Sequence, residues 1–315
     1  FLANMSHEIR TPMNAGLLFR QMLANRKARA GLIIVGLFVL IALIGPWLVQ
    51  DPTAFAAMPH QTPSLQHWFG TTGQGQDVFA QTVVGTRVTL AVGFATGFLV
   101  VFFGAVVGGV AGYLGGRVDD LLSLLINVFL VMPGLPLMVV IAAWLPPGPL
   151  TLLSVLVLTG WAWNARVLRA QTLSLAQRDF VLAAKVSGES SLRIVIAEIL
   201  PNMLSLMTSS FIGATIYAIG AHVGLEFHGL GDISKVTWGT NLYWASNDSA
   251  LLLGSWWTFV PTGVGIALLG FGLTLVNFGV DEIANPRLAT ESRWARKLKA
   301  QATVDGSTPV VEGGA

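Results

Sequence analysis

The chain has 315 residues, of which 53% are hydrophobic and only 11% charged, and its mean hydropathy is +0.68. Soluble domains carry about 25% charge, so a chain this apolar, with several long apolar runs, is expected to be an integral membrane protein rather than a soluble enzyme. A net charge of only +2 makes the high pI a sign of basic ends rather than of a nucleic-acid surface, and the lack of cysteine excludes a disulfide framework, a thiolate metal site and a cysteine nucleophile.

Residues 1–15, FLANMSHEIRTPMNA, resemble the phosphoacceptor box of sensor histidine kinases, with His7 followed by Glu8, Arg10 and Pro12. A kinase also needs a dimerisation domain and an ATP-binding domain with Asn- and Gly-rich boxes, and neither follows. The segment reads as a fusion or gene-prediction artefact or a chance tail, and is set aside in judging the fold. The chain begins with Phe1 rather than Met, and its true start is expected to be missing.

Arg20, Arg26, Lys27 and Arg29 lead into GLIIVGLFVLIALIGPWLV at 31–49. That run is long enough to cross the hydrocarbon core, and its basic flank predicts a cytoplasmic N-terminal side. A cleaved signal peptide is the alternative, but the run is too long and no small-residue cleavage site stands out. Residues 50–87 are polar and turn-rich, with Pro52, Pro59 and Pro63, and are expected outside by alternation. The Gly73-Gln74-Gly75 cluster lacks the strand, helix and lysine of a phosphate cradle.

The second span is expected from Thr89 to Leu114, with Gly104, Gly108 and Gly112 on one face for helix contact. A turn over 115–120 carries Arg117. The third span, Leu121–Trp144, contains Pro133 and Pro136, which predict a kink. Near it, Asn127 reads first as polar glue between helices and second as a pathway residue, and Met132 is a pathway candidate. After an outer turn at 145–148, the fourth span runs from Leu150 to Leu168 and ends in GWAWNARVLRA.

The stretch Asp179–Asn202 is polar and basic between apolar spans, and Arg166, Arg169, Arg178, Lys185 and Arg193 mark it as cytoplasmic. It reads as a short helix, a break at Ser187-Gly188, a second short helix and Pro201 at the membrane re-entry. Ala183 and Ala184 would allow close approach of another surface. An amphipathic loop lying on the membrane is the bland alternative.

The fifth span is expected from Leu204 to Leu225, and the sixth from Thr258 to Val280, opened by Trp256, Trp257 and Pro261 in the headgroup zone. His222 and Glu226 stand four apart on the fifth and are expected to pair near the outer mouth of a pathway. The alternative is that both are solvated at the interface. Arg293, Arg296, Lys297 and Lys299 place the C-terminal end inside, and residues 300–315 read as a disordered tail.

Several blocks in the right order resemble the membrane permeases of ABC importers of the oligopeptide/dipeptide (peptide/nickel) type. The first is His67–Gly93, where Phe69-Gly70-Thr71, Gly75, Asp77-Val78, Gly85, Arg87, Leu90 and Gly93 match, while Thr72 and Gln76 depart. Gly160, Trp161, Ala165, Arg166, Arg169 and Ala170 match the entry to the family's ATPase-docking loop. Within that loop Ala183-Ala184, Gly188 and Ile199-Leu200-Pro201-Asn202 match, and Leu182 stands where the family has glutamate. Phe227, Gly229-Leu230-Gly231, Trp238-Gly239 and Leu242 match beyond the fifth span, where His222 takes the family's usual acidic position and Glu226 a small-residue position. Asn285-Pro286-Arg287 stands near the end where the family has D-P-R.

The resemblance implies an all-α integral membrane protein of six transmembrane helices, the type I ABC importer permease fold, with both termini cytoplasmic. Its parts would be a cytoplasmic segment 1–30, a permease domain 31–281 with docking loop 179–202, and a cytoplasmic tail 282–315. Ala183, Ala184 and Gly188 would form the docking surface, supported by Arg193, Leu200 and Pro201. The implied partners are a second homologous permease, two cytoplasmic ABC ATPases, an extracytoplasmic solute-binding protein and the lipid of a bacterial or archaeal inner membrane. ATP and Mg would sit on the ATPases and no cofactor on this chain, which has no G-x-x-x-x-G-K-S motif. Peptides are the implied cargo, with oligosaccharides or metal complexes as the alternative, moved by alternating access. The rivals are a sensor-kinase fragment, a secondary transporter and a purely structural subunit.

Overall fold

The computed structural model describes residue 20 and residues 22–284. The His7 box, the Asn285-Pro286-Arg287 block and the basic residues beyond it lie outside the described residues. Among the described residues the helices run α1 (Arg26–Leu48), α2 (Val78–Leu114), α3 (Gly116–Val131), α4 (Gly134–Trp144), α5 (Pro149–Ala176), α6 (Asp179–Val186), α7 (Ser191–Arg193), α8 (Leu200–Asn202), α9 (Leu204–Phe227), α10 (Trp238–Asn247) and α11 (Val260–Ala284). The pairing of Thr71 with Asp77 is an isolated β-bridge.

Five of these, α1, α2, α5, α9 and α11, are long and apolar enough to cross a membrane. The third expected span is instead a bent pair, α3 and α4, turned by 87° at the break between them. The expected kink is this break. Met132 and Pro133 are extended there, while Pro136 falls in the first turn of α4, where its missing N–H has no helical partner to lose.

Three further boundaries differ from expectation. α2 begins at Val78, not Thr89, because Asp77 caps it by accepting from the Ala80 amide at 2.8 Å. Arg117, Asp119 and Asp120, expected in a turn, already belong to α3; the turn is confined to Gly115 and Gly116, whose φ of +65° and +54° glycine adopts without strain. The fourth span also continues past Leu168 to Ala176.

α2 is the central helix. Gly104, Gly108 and Gly112 lie on its face toward α5: a Cβ on Gly108 would come 2.5 Å from the Ala165 carbonyl, and one on Gly112 2.8 Å from the Arg169 carbonyl. Backbone-to-backbone packing of this kind is how helices associate where lipid removes the usual hydrophobic drive. Another α2 face, at Gly93 and Gly97, receives Ile219 and Thr215 of α9. α1 lies along α11, Gly31 against Gly272 and Val276, and exposes Ile33, Leu37, Leu40, Leu43 and Trp47 on its other side. The Asn25 side chain caps α1 and donates to Glu282 at 3.1 Å, tying its start to the end of α11.

The bundle has two ends. The loop end carries α6 to α8, the start of α1 and the last turns of α2 and α5. The cap end is built from residues 49–77 and 228–258. There His67 Nδ1 meets Asp77 Oδ2 at 2.8 Å, and the Thr71 hydroxyl donates to the Met58 carbonyl at 2.7 Å. Trp257 is buried in the cap, its indole N–H donating to the Thr71 carbonyl at 3.2 Å; Trp256 is exposed.

Candidate functional site

The loop between α5 and α9 leaves the bundle and returns to it. Its start is pinned by Val181, wholly buried in a cluster with Val101, Ala105, Leu168, Ile194, Ile199 and Met203 from α2, α5 and the returning chain. α6 then ends in a glycine stop. Gly188 takes φ +80°, and the Glu189 amide reaches back to the Ala184 carbonyl at 3.1 Å. Nothing lies within 4 Å of where a Gly188 Cβ would be, so backbone conformation rather than crowding selects glycine here.

Beyond the stop, α7 passes through a π-helical turn, Ile194–Ile199, into α8. Pro201 accounts for the irregularity: it has no N–H to give to the carbonyl of Ala197, and its ring crowds that carbonyl, so the chain widens just before it. Leu200 and Pro201 are half-buried at the re-entry. Arg193 pairs with Glu189 at 3.5 Å across the loop, an exposed contact of small energetic weight. The outward surface is mixed, with apolar side chains exposed among Lys185, Ser187, Ser190 and Arg193. Ala183 is exposed, Ala184 is half-buried, and Leu182, Val186 and Leu192 are 48%, 90% and 71% exposed.

The four pathway candidates do not meet in one place. Asn127 accepts a hydrogen bond from Arg166 Nη2 at 2.7 Å, a bond between α3 and α5. About two turns earlier on α3, Asp119 takes two bonds from Arg169, Nε to Oδ1 at 2.5 Å and Nη2 to Oδ2 at 2.6 Å. Two arginines on α5 thus hold α3, as planar guanidinium groups do best. Met132 lies at the α3–α4 break, partly exposed.

His222 and Glu226 lie elsewhere, in the last two turns of α9 at the cap end. Their burial runs against the solvated alternative, and they stand close enough to pair, as their spacing predicted: His222 is 0% and Glu226 2% exposed. His222 Nε2 lies 3.5 Å from Glu226 Oε1, and the Thr237 hydroxyl donates to Glu226 Oε2. Thr237 also forms a capping box with Thr240 at the start of α10.

Sequence reading missed three partners. Neither the capping box of Thr237 and Thr240 nor its contact with Glu226 was read from the sequence. Asp119 carried no signal of its link to Arg169, fifty residues away. Lys185 was noted only as a cytoplasmic charge, yet its ammonium lies over the Tyr113 ring of α2.

Comparison with known proteins agrees with this architecture. A family model described as the binding-protein-dependent transport system inner membrane component matches residues 104–290, and one described as the N-terminal TM domain of oligopeptide transport permease C matches residues 16–64. The dipeptide transport system permease protein DppC of Bacillus subtilis (strain 168) is 32% identical over 275 residues, covering 86% of this chain and 85% of the relative. The oligopeptide transport system permease protein OppC of the same organism is 31% identical, covering 87% of this chain and 89% of the relative. The nickel transport system permease protein NikC of Escherichia coli (strain K12) is 33% identical, covering 84% of this chain and 95% of the relative. Matched over more than half its length by that first family model, and along most of its length by these relatives, the chain belongs to the family of binding-protein-dependent transport system inner membrane components, as a multi-pass permease subunit.

Proposed function

We propose that this permease subunit serves an ATP-driven importer of dipeptides or oligopeptides, and that residues 179–202 are where a cytoplasmic ATPase docks. The observation that carries the reading is the loop itself: a helix–Gly188–helix excursion that presents Ala183, Leu182, Val186 and Leu192 outward while Val181, Ile194 and Ile199 hold it to the bundle. Exposed apolar side chains on a loop rimmed by Lys185, Arg178 and Arg193 suit a protein partner better than water.

Placing the loop end in the cytoplasm follows the charges. Arg26, Lys27, Arg29, Arg117, Arg178, Lys185 and Arg193 all gather there. The cap end then faces outward, where a solute-binding protein would deliver cargo. A second, homologous permease would complete the pathway, and two ATPases carrying ATP and Mg would drive it. Their closure would push on the two loops and switch the spans between inward-open and outward-open arrangements. Residues 31–281 would form the permease unit, with the flanking segments outside it. The names of the DppC and OppC relatives favour peptide cargo.

Purification in mild detergent tests the assembly: a second permease and ATPase chains should accompany this one, and a chain that comes down alone would refute the docking assignment. Uptake of labelled dipeptides into cells lacking other peptide importers tests the cargo, with nickel uptake as the contrary outcome.

A further inference from the structure

After α10 the chain makes a tight projection at the cap end, over residues 249–255. Its base is fixed inside the protein: Ala250 and Ser255 are buried, and the Ser255 amide donates to the Ala250 carbonyl at 2.8 Å. Between them Leu251, Leu252 and Leu253 stand out, 76%, 89% and 61% exposed. The Leu253 amide donates to the Ser249 carbonyl at 3.1 Å and the Gly254 amide to the Leu251 carbonyl at 3.3 Å, so the projection has a folded backbone of its own. Scattered single leucines on a surface need no explanation, but three in a row held outward by a buried base do.

The level of this turn in the membrane follows from the packing of α1 on α11. A Cβ on Gly31 would meet Val276 and one on Gly279 would meet Ala28, so the two helices run antiparallel. With equal rise per residue, that register carries Leu48, the last residue of α1, to the level of about residues 255–259. The apolar run of α1 gives way to Gln50 and Asp51 at that level, which marks the edge of the hydrocarbon. Trp256, exposed, stands at this edge, where indoles concentrate. From Val260 to Val280, α11 is already long enough to cross the core, yet the uncharged stretch extends further: no ionisable side chain occurs between Asp248 and Asp281. Val260, Val264 and Leu268 form an exposed apolar stripe on α11 that begins shortly after the turn.

We propose that the Leu251–Leu253 turn is a membrane anchor, which seats its leucines in the leaflet on the cap side, beside Trp256, and fixes the height of α10 and of the start of α11 against the bilayer. Its chemistry fits lipid better than protein. A protein interface surrounds its apolar contacts with hydrogen bonds and a polar rim, and the three leucine side chains here have no charged neighbour in the turn to supply them. Lipid needs no such groups, since removal of apolar surface from water is sufficient. The other exposed apolar side chains of the cap differ in this respect: Phe55, Met58 and Leu65 are interspersed with Asp51, His60 and Gln66.

The chain has no cysteine, so Leu252→Cys can carry a single nitroxide, and a side chain this exposed can be replaced without disturbing the packing. The whole transporter, purified with its accompanying subunits, is reconstituted in vesicles of phosphatidylethanolamine and phosphatidylglycerol. The parent transporter, treated identically, gives the background from cysteines of the other subunits. Power saturation then compares collisions with oxygen, which concentrates in hydrocarbon, and with a nickel chelate, which stays in water. The Leu252 nitroxide should favour oxygen and lie about 5–10 Å below the phosphates. One at Thr62→Cys, an exposed cap position, should favour the chelate. Adding Leu251→Ser and Leu253→Ser should raise the Leu252 label toward the phosphates; an unchanged depth would overturn the anchoring role. Preference for the chelate at Leu252 would overturn the proposal by placing the turn in water. Low collision rates with both reagents would overturn it by placing protein over the turn. The readout is the same whichever way the cap end faces and needs neither ATP nor cargo, so its failure is separate from failure of the function proposed above.

Discussion

Lys185, in the last turn of α6, holds its ammonium 4.9 Å from the centre of the Tyr113 ring, in the last turn of α2. The 179–202 loop therefore touches the central helix at its tip as well as through Val181. An exposed cation–π contact of this kind contributes about 0.5–1 kcal/mol. Lys185→Ala and Tyr113→Ala should each lower uptake per ATP hydrolysed about two- to fivefold while leaving ATPase binding intact, and Lys185→Arg should keep most of it. Parallel ATPase and uptake assays check this. Equal losses in both activities would point to docking rather than transmission.

Gly188→Val should uncouple hydrolysis from uptake. The left-handed conformation costs a β-branched residue about 1–2 kcal/mol, and the loop will shift to relieve it. Gly188→Asn, which tolerates that conformation, should retain most uptake. Because the site is open, neither variant should alter membrane insertion.

Gly108→Leu should destabilise the bundle by about 1–3 kcal/mol or prevent its assembly, since the new side chain meets the α5 backbone and cannot be accommodated by a rotamer change. Thermal unfolding in detergent measures it. Gly36→Leu, on the open side of α1, is the control and should have little effect.

Asp119→Asn should loosen α3 from α5. The pair is partly exposed, at 28% for Arg169 and 16% for Asp119, so the loss should be nearer about 1–2 kcal/mol than the larger values of fully buried pairs. A double-mutant cycle with Arg169→Gln checks it: the double variant should lose less than the two single losses combined.

Asp248, in the cap, supplies a pH dependence. Burial holds its carboxyl above the usual carboxylate range, against the pull of His60. The folded cap then keeps the proton to higher pH than the unfolded chain does, so this group's contribution falls as pH rises through the interval between the two values, and at neutral pH the ionised form is a burden. Asp248→Asn should raise the melting temperature modestly at pH 7, by an amount that shrinks as pH falls below the ordinary aspartate value. A gap that widens on acidification would contradict this sign.

The spans and the loop were legible because they rest on local signals. Apolar runs gave the helices, and Gly188 followed by Pro201 gave the excursion. The start of α2 was hidden because Gln81, Thr82, Thr86 and Arg87 read as loop, whereas the fold buries Gln81 and Thr86 against the cap. Pro133 was visible as a disturbance, but no local rule turns a proline into an 87° bend. The spacing of His222 and Glu226 showed that they could meet; that α10 would present its first turn to Glu226 depends on the fold bringing a second helix back. Asp119 and Arg169 share that limit. Each is ordinary in its own stretch and becomes informative only beside the other.

The unbroken length of α2 has a mechanical consequence. At about 1.5 Å per residue its 37 residues make a rod roughly 55 Å long. It contains no proline and no π-turn at which to flex. One tip bears the Lys185 contact of the 179–202 loop; the other, near Asp77, anchors the cap through His67. A rod of that length pivoting on its Gly104–Gly112 crossing with α5 acts as a lever, so a tilt of about 5° applied at the loop would sweep the cap tip by several ångströms.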